Sequence, residues 1–154
     1  PNIAGIWFDP VMGYYMRPDL FSIESTYSLI RKMSPHALIS FKQGANGDED
    51  FMAPERGGNA KVGNQLEVAK ITYEKNLNKP REICNTLQPH EWGYSKRHDG
   101  KHKTADDIIE LLNNAKKSNA NLLLNVGPKG NGSLPEEDII ALKESGRKLN
   151  ATKK

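Results

Sequence analysis

The chain of 154 residues is 36% apolar and 27% charged, which suits one soluble globular domain able to bury a core. Its formal charge of +3 comes mostly from loop lysines and the C-terminal "NATKK", and without a dense basic stripe interleaved with aromatics it argues against a nucleic-acid partner. A single cysteine, Cys84, excludes an internal disulfide framework and reads as a small buried hydrophobe, and no apolar run approaches the ~20 residues of a membrane helix.

Residues 3 to 8, "IAGIWF", form a short apolar run ended by Pro10, as expected of a strand buried on both faces. No signal peptide is visible, and this abrupt opening on strand-like sequence predicts further sequence upstream. From Leu20 to Met33 the residues Leu20, Ile23, Tyr27 and Ile30 recur at helical spacing, until Pro35 disfavours helix in the residue before it. A second strand, "HALISF" (36 to 41), opens into the loop "KQGANGDEDFMAPERGGNAKVGN", whose glycines and acids do not suit a packed element. Gln65 to Asn76 fits a strand or a helix, and the pattern leaves both open. "REICNTLQ" (81 to 88) is a third strand with a polar tip, followed by the aromatic turn "HEWGYS" and a basic loop. Thr104 with Asp107 makes a capping-box-like start to a helix whose apolar stripe is Ile108, Leu111, Leu112 and Ala115. "NANLLLNVGP" is the most strand-like segment, and after the turn "KGNGS" Pro135 stands where a first helical residue is tolerated. Ile139, Leu142 and Leu149 then line one face of the last helix.

Strands alternating with helices imply an α/β fold with parallel pairing through right-handed crossovers. Polar and aromatic residues gather after the strands, the rim where a β/α barrel or open sheet builds its chemistry. The spacing of CxxC, HExxH, GxSxG and phosphate-loop motifs is absent, so no metal or cofactor is expected. His98 and His102 read as solvated loop residues. Carboxylates remain: Asp9 at a strand end beside Trp7 and Phe8, and Asp48, Glu49, Asp50 and Glu55 in the loop after the next strand. Two acids meeting from neighbouring strand ends is the arrangement glycoside hydrolysis requires, at ~5 to 5.5 Å for a retaining enzyme. Trp7 and Trp92 would shield the pair and pack on a sugar's apolar face. The plainer reading has Asp9 capping a turn, Glu55 solvated and both tryptophans in the core.

"GIWFD", "GDEDFMAPER", "REICNTLQPHEWGY" and "NANLLLNVGPKGNGSLPEED" stand in the order and spacing of the second half of the catalytic domain of α-L-fucosidases of glycoside hydrolase family 29, which the chain resembles from Ile3 to about Leu149. The resemblance implies half of a (β/α)8 barrel of about four parallel strands over residues 1–150, with a basic tail at 151–154. It implies a retaining hydrolase of terminal α-L-fucosides that forms a covalent fucosyl-enzyme, with Asp9 as nucleophile. The acid/base falls on Glu55, then on Glu49, then on Glu82, and the substrate contacts on Trp7, Lys42 and Trp92. Lys42 stands at the place of a family arginine and lacks its planar fork. Pro10 also departs from the family, where glycine is common, and so does "HE" before "WGY", where the family has a small residue and serine.

A whole β/α barrel usually needs ~200 residues or more, and half of one exposes two strand edges. The expectation is therefore a chain completed by a second copy or by a complementary N-terminal half, acting on a fucosylated glycan, with no nucleic-acid or membrane partner. An inactive half-barrel serving as a carbohydrate-binding or assembly module is the alternative, and an unrelated small α/β protein is the third. Export or a lysosomal address follows from the resemblance alone.

Overall fold

The computed structural model describes residues 3–9, 13, 16–56 and 74–151. The chain divides into two compact units, Pro1–Ile83 and Cys84–Lys154.

In the first unit β1 (Gly5–Phe8) pairs in parallel with β2 (Leu38–Phe41), in the register Gly5↔Leu38 through Phe8↔Phe41. Helix α1 (Ile23–Met33) connects them. Successive side chains on a strand point to opposite faces, so Ile6 and Phe8 share a side with Ile39 and Phe41. These pack with Ile23, Tyr27 and Ile30 of α1 and with Ala37 and Ala45, and full burial of each large side chain is worth about 1.5–3 kcal/mol. The helical spacing of Ile23, Tyr27 and Ile30 thus turns one stripe of α1 onto the strand pair.

Three expectations change here. Leu20 is exposed rather than part of that stripe, because the helix starts at Ile23 after a 3-10 turn over Pro18–Leu20. β1 is half-buried rather than buried on both faces, since among the described residues β2 is the strand it pairs with. The loop after β2 is packed rather than loose: Ala45 and Glu49 are buried, and single parallel bridges link Lys42 to Ala53 and Met52 to Arg81. The open segment at Gln65–Asn76 lies outside the described residues except for its end, where Glu74, Lys75 and Asn76 form a helical turn.

β3 (Arg81–Thr86) begins in the first unit and ends in the second, where it pairs with β4 (Ala120–Asn125). Cys84 is buried in it, as its residue type suggests. Helix α2 (Ala105–Lys117) opens on the full capping box: the Thr104 hydroxyl accepts from the Asp107 N–H while the Asp107 carboxylate accepts from the Thr104 N–H. Leu87, Ile108 and Ala141 form the buried cluster, with Leu124, Val126 and Leu142 against it. The last helix, α3 (Glu136–Ala151), buries Asp138, Ala141 and Ser145, while Ile139, Leu142 and Leu149 are only half-buried. Small side chains at i, i+3 and i+4 spacing make that face. Among the described residues no helix is long and apolar enough to cross a membrane.

Candidate active site

The strand alternation that sends Ile6 and Phe8 into the core sends Trp7 and Asp9 to the opposite side. Trp7 is in register with Ser40, and two residues further along each strand stand Asp9 and Lys42. The Lys42 N–H donates to the Phe8 carbonyl at 2.8 Å, extending the pairing to the strand ends. The bridge from Lys42 to Ala53 brings the loop back alongside and carries Glu55 to the same place.

There three charged groups meet. Lys42 Nζ lies 3.3 Å from Asp9 Oδ1 and 2.8 Å from Glu55 Oε2. The two carboxylate oxygens can be no farther apart than those contacts laid end to end, about 6 Å. The lysine side chain is 12% exposed, Glu55 28% and Asp9 53%, so the ammonium is sheltered while Asp9 faces solvent. Burial pulls the Lys42 pKa down, but its hydrogen bonds to Glu55 and Asp9 and their charges together hold it above the usual lysine value. Arg56 adds a second cation, 3.4 Å from Glu55 Oε1. The indole Nε1 of Trp7, on the same side of the strand pair, is buried without a hydrogen-bond partner among the described residues.

Glu49 is placed differently. It is 1% exposed. Its Oε1 accepts from the Tyr27 hydroxyl at 2.9 Å, the Ala45 N–H at 2.7 Å and the Asn46 N–H at 3.2 Å. Its Oε2 accepts from the Gly47 N–H at 3.0 Å and Asn76 Nδ2 at 2.9 Å. Burial pushes its pKa up, and the bonds from Asn76, the Ala45 backbone, its own backbone and Tyr27 outweigh burial and hold it below the usual carboxylate range. Asp50 is likewise occupied, accepting from Arg31 at 2.7 Å and from the Ile39 N–H at 2.6 Å, whereas Asp48, among the described residues, bonds within its own exposed turn, to Asn46. Glu82 is half-buried on β3, where its N–H donates to the Met52 carbonyl at 2.8 Å.

Trp92 belongs to the second unit, in a turn tied to the end of β4. Asn125 Nδ2 donates to the Trp92 carbonyl at 2.7 Å and to Thr86 Oγ1 at 3.2 Å. Gln88 takes the next residues, donating to the Gly93 carbonyl and accepting from the Ser95 N–H at 3.0 Å. Gly127 completes the junction, because a Cβ there would sit 2.6 Å from the Tyr94 nitrogen. Asn125 and Gln88 hold the aromatic turn without any pattern that marks them in sequence; the signal was an amide at each strand tip. The reading of His98 and His102 as solvated loop residues is corrected: their side chains are 15% and 2% exposed, and His102 packs against the start of α3.

The model of the family described as "Alpha-L-fucosidase" matches residues 2–154. The chain belongs to the alpha-L-fucosidase family. A Caenorhabditis elegans protein named "Putative alpha-L-fucosidase" is 44% identical over 81 residues, which are 51% of this chain and 16% of that one. Among solved structures, alpha-L-fucosidase isoenzyme 1 from Paenibacillus thiaminolyticus matches 97% of this chain and 35% of its own at 24% identity and a TM-score of 0.72. Alpha-L-fucosidase AlfC from Lactobacillus casei, solved with its alpha-L-fucose product, matches 97% of this chain and 41% of its own at 24% identity and a TM-score of 0.65. The chain thus spans well under half the length of these relatives, and at such identity the two structures speak for the shared fold.

Proposed function

We propose that this chain carries the reacting carboxylates of a retaining α-L-fucosidase, on half of a (β/α)8 barrel that a complementary half or a second copy completes, with a fucosylated glycan as substrate. The observation that carries this is the convergence of Asp9, Lys42 and Glu55, from two strand ends and the bridged loop, on one point. The upper bound of about 6 Å between the two Lys42-bound oxygens is compatible with the closer carboxyl spacing of retaining glycosidases.

In this reading the exposed Asp9 attacks the anomeric carbon, and the bond to the leaving oxygen breaks as that oxygen takes a proton from Glu55. Glu55 then accepts a proton from water as the water attacks the same carbon, releasing fucose with retained configuration and restoring Asp9. Glu55 is preferred over Glu49, whose oxygens already accept five hydrogen bonds, and Glu82 comes after both. Lys42 neutralises the pair at rest, and a sugar hydroxyl that draws Lys42 away frees Glu55 to carry the proton. The unpartnered indole N–H of Trp7 donates to another hydroxyl.

The Lys42 bridge also favours a second reading, a carbohydrate-binding or assembly module, because the contact that gathers the acids also occupies them. Hydrolysis of a chromogenic aryl α-L-fucoside, by the chain alone and with an added N-terminal half, separates the two. Turnover that Asp9→Gly abolishes, and that azide restores as a fucosyl azide, supports the enzyme. Turnover that survives Asp9→Gly removes Asp9 as nucleophile. Fucose binding with no turnover in any combination supports the module.

A further inference from the structure

The second unit holds a cluster that its spacing in sequence conceals. One ligand-capable atom from each of Asp99, His102 and Glu137 lies within 4.8 Å of the others. Behind the imidazole, His102 Nδ1 stands 2.7 Å from Asp138 Oδ1, and these two side chains are 2% and 1% exposed. Asp138 sits in the first turn of α3, where the helix dipole favours a carboxylate. A carboxylate only accepts, so Nδ1 carries the hydrogen, and in the neutral ring Nε2 is then a bare lone pair.

That lone pair is buried and finds no hydrogen-bond donor among the described residues. Glu137 Oε1 lies 3.6 Å from it, too far for a hydrogen bond. The two carboxylates are aimed by bonds that do not exhaust them. Asp99 Oδ2 accepts from the Tyr94 hydroxyl at 3.1 Å. Glu137 accepts at Oε1 from the Gly100 N–H at 3.1 Å and at Oε2 from the His102 N–H at 3.3 Å. With the ring in that neutral form, acceptors face one another with no cation between them among the described residues, and lone pairs so placed repel.

We propose that this cluster is a binding site for a divalent first-row transition ion of the zinc type, with His102 Nε2, Asp99 and Glu137 as ligands and water completing the shell on the exposed Asp99 side. Ligands ~2.1 Å from a tetrahedral ion stand roughly 3.4 Å apart, close to the 3.6 Å between Nε2 and Glu137 Oε1. Asp138 fixes the ring's tautomer and direction, as a carboxylate behind a metal-bound histidine does. The imidazole nitrogen disfavours magnesium and calcium, which take oxygen ligands. The ion would clamp the segment after the aromatic turn to the start of α3. This site is independent of the proposed fucoside chemistry.

The test is calorimetric titration of the metal-free full chain with zinc chloride near neutral pH, together with the visible spectrum on cobalt(II) addition. One ion per chain is expected, with a thermal midpoint that rises on zinc and not on magnesium. Asp99→Asn, on an exposed side chain, and His102→Gln should each weaken binding by about tenfold or more, and Asp138→Asn by about 10–100-fold. If His102→Gln fails to fold by circular dichroism, the Nε2 resonance in a nitrogen-15 spectrum replaces it and should shift on zinc addition. Absence of saturable zinc binding, binding untouched by Asp99→Asn, or both ring nitrogens protonated and unchanged by zinc overturns the site.

Discussion

At the residue scale Lys42 decides how the two candidate acids behave. A sheltered ammonium between two carboxylates contributes stability up to its ordinary pKa of 10.5, and loses it as pH rises through the higher folded value. Replacing it by methionine keeps the stem and removes the charge, leaving Asp9 and Glu55 to face one another. Because Asp9 is half in water, screening limits the loss, and Lys42→Met should cost about 1–2 kcal/mol at neutral pH. Added salt screens that repulsion, so the deficit should shrink as ionic strength rises. Urea unfolding at low and high salt measures it, and an equal deficit at both would mean that the three charges act independently. Much of this was legible in sequence: an acid placed two residues after a strand tryptophan must share that residue's face. What no pattern gave was that the lysine would hold both acids at once, since that depends on a bridge between Lys42 and Ala53.

At the scale of elements, the loop after β2 shows how composition misleads. Its glycines and acids suggest a solvated excursion, yet they are there to wrap one carboxylate. Gly47 has φ +90, and a Cβ on it would collide with the Lys75 side chain, while the N–H groups of Ala45, Asn46 and Gly47 converge on Glu49. Glu49 thus serves as the loop's core. Its lowered pKa gives the sign of the pH effect: the contribution is complete above the ordinary value of 4.5 and is lost as pH falls through the folded one. Glu49→Gln puts an amide donor against donors and should cost on the order of 3 kcal/mol at neutral pH. Stability curves of the two proteins should converge in acid, because only the wild type carries that slope; parallel curves would show that Glu49 is not the group titrating. α1 and the Thr104 capping box could be read from periodicity and caps. The buried stripe of α3 could not, because Asp138, Ala141 and Ser145 are buried through small size and pairing rather than through apolar character.

At the scale of the whole molecule, α1 carries apolar side chains on two sides. Ile23, Tyr27 and Ile30 are spent on the strand pair, while Leu29 and Met33, one turn apart, stay 55% and 75% exposed. They border a hollow shared with Ile3 and Ile6, so the apolar surface runs on from the helix toward β1, the strand whose second neighbour is not among the described residues. Contiguous apolar surface of this kind marks an interaction face more often than open water. On the proposed reading of a half-barrel completed by association, this is the face that would carry the contact. Leu29→Glu with Met33→Glu should therefore leave the helix signal in circular dichroism unchanged while shifting sedimentation velocity toward the monomer and weakening association with a complementary half by about tenfold or more, the effect of desolvating charge in an apolar contact. If the wild-type chain sediments as a monomer at every concentration, and the double variant associates with the added half as tightly as the wild type does, this face is not where the barrel is completed.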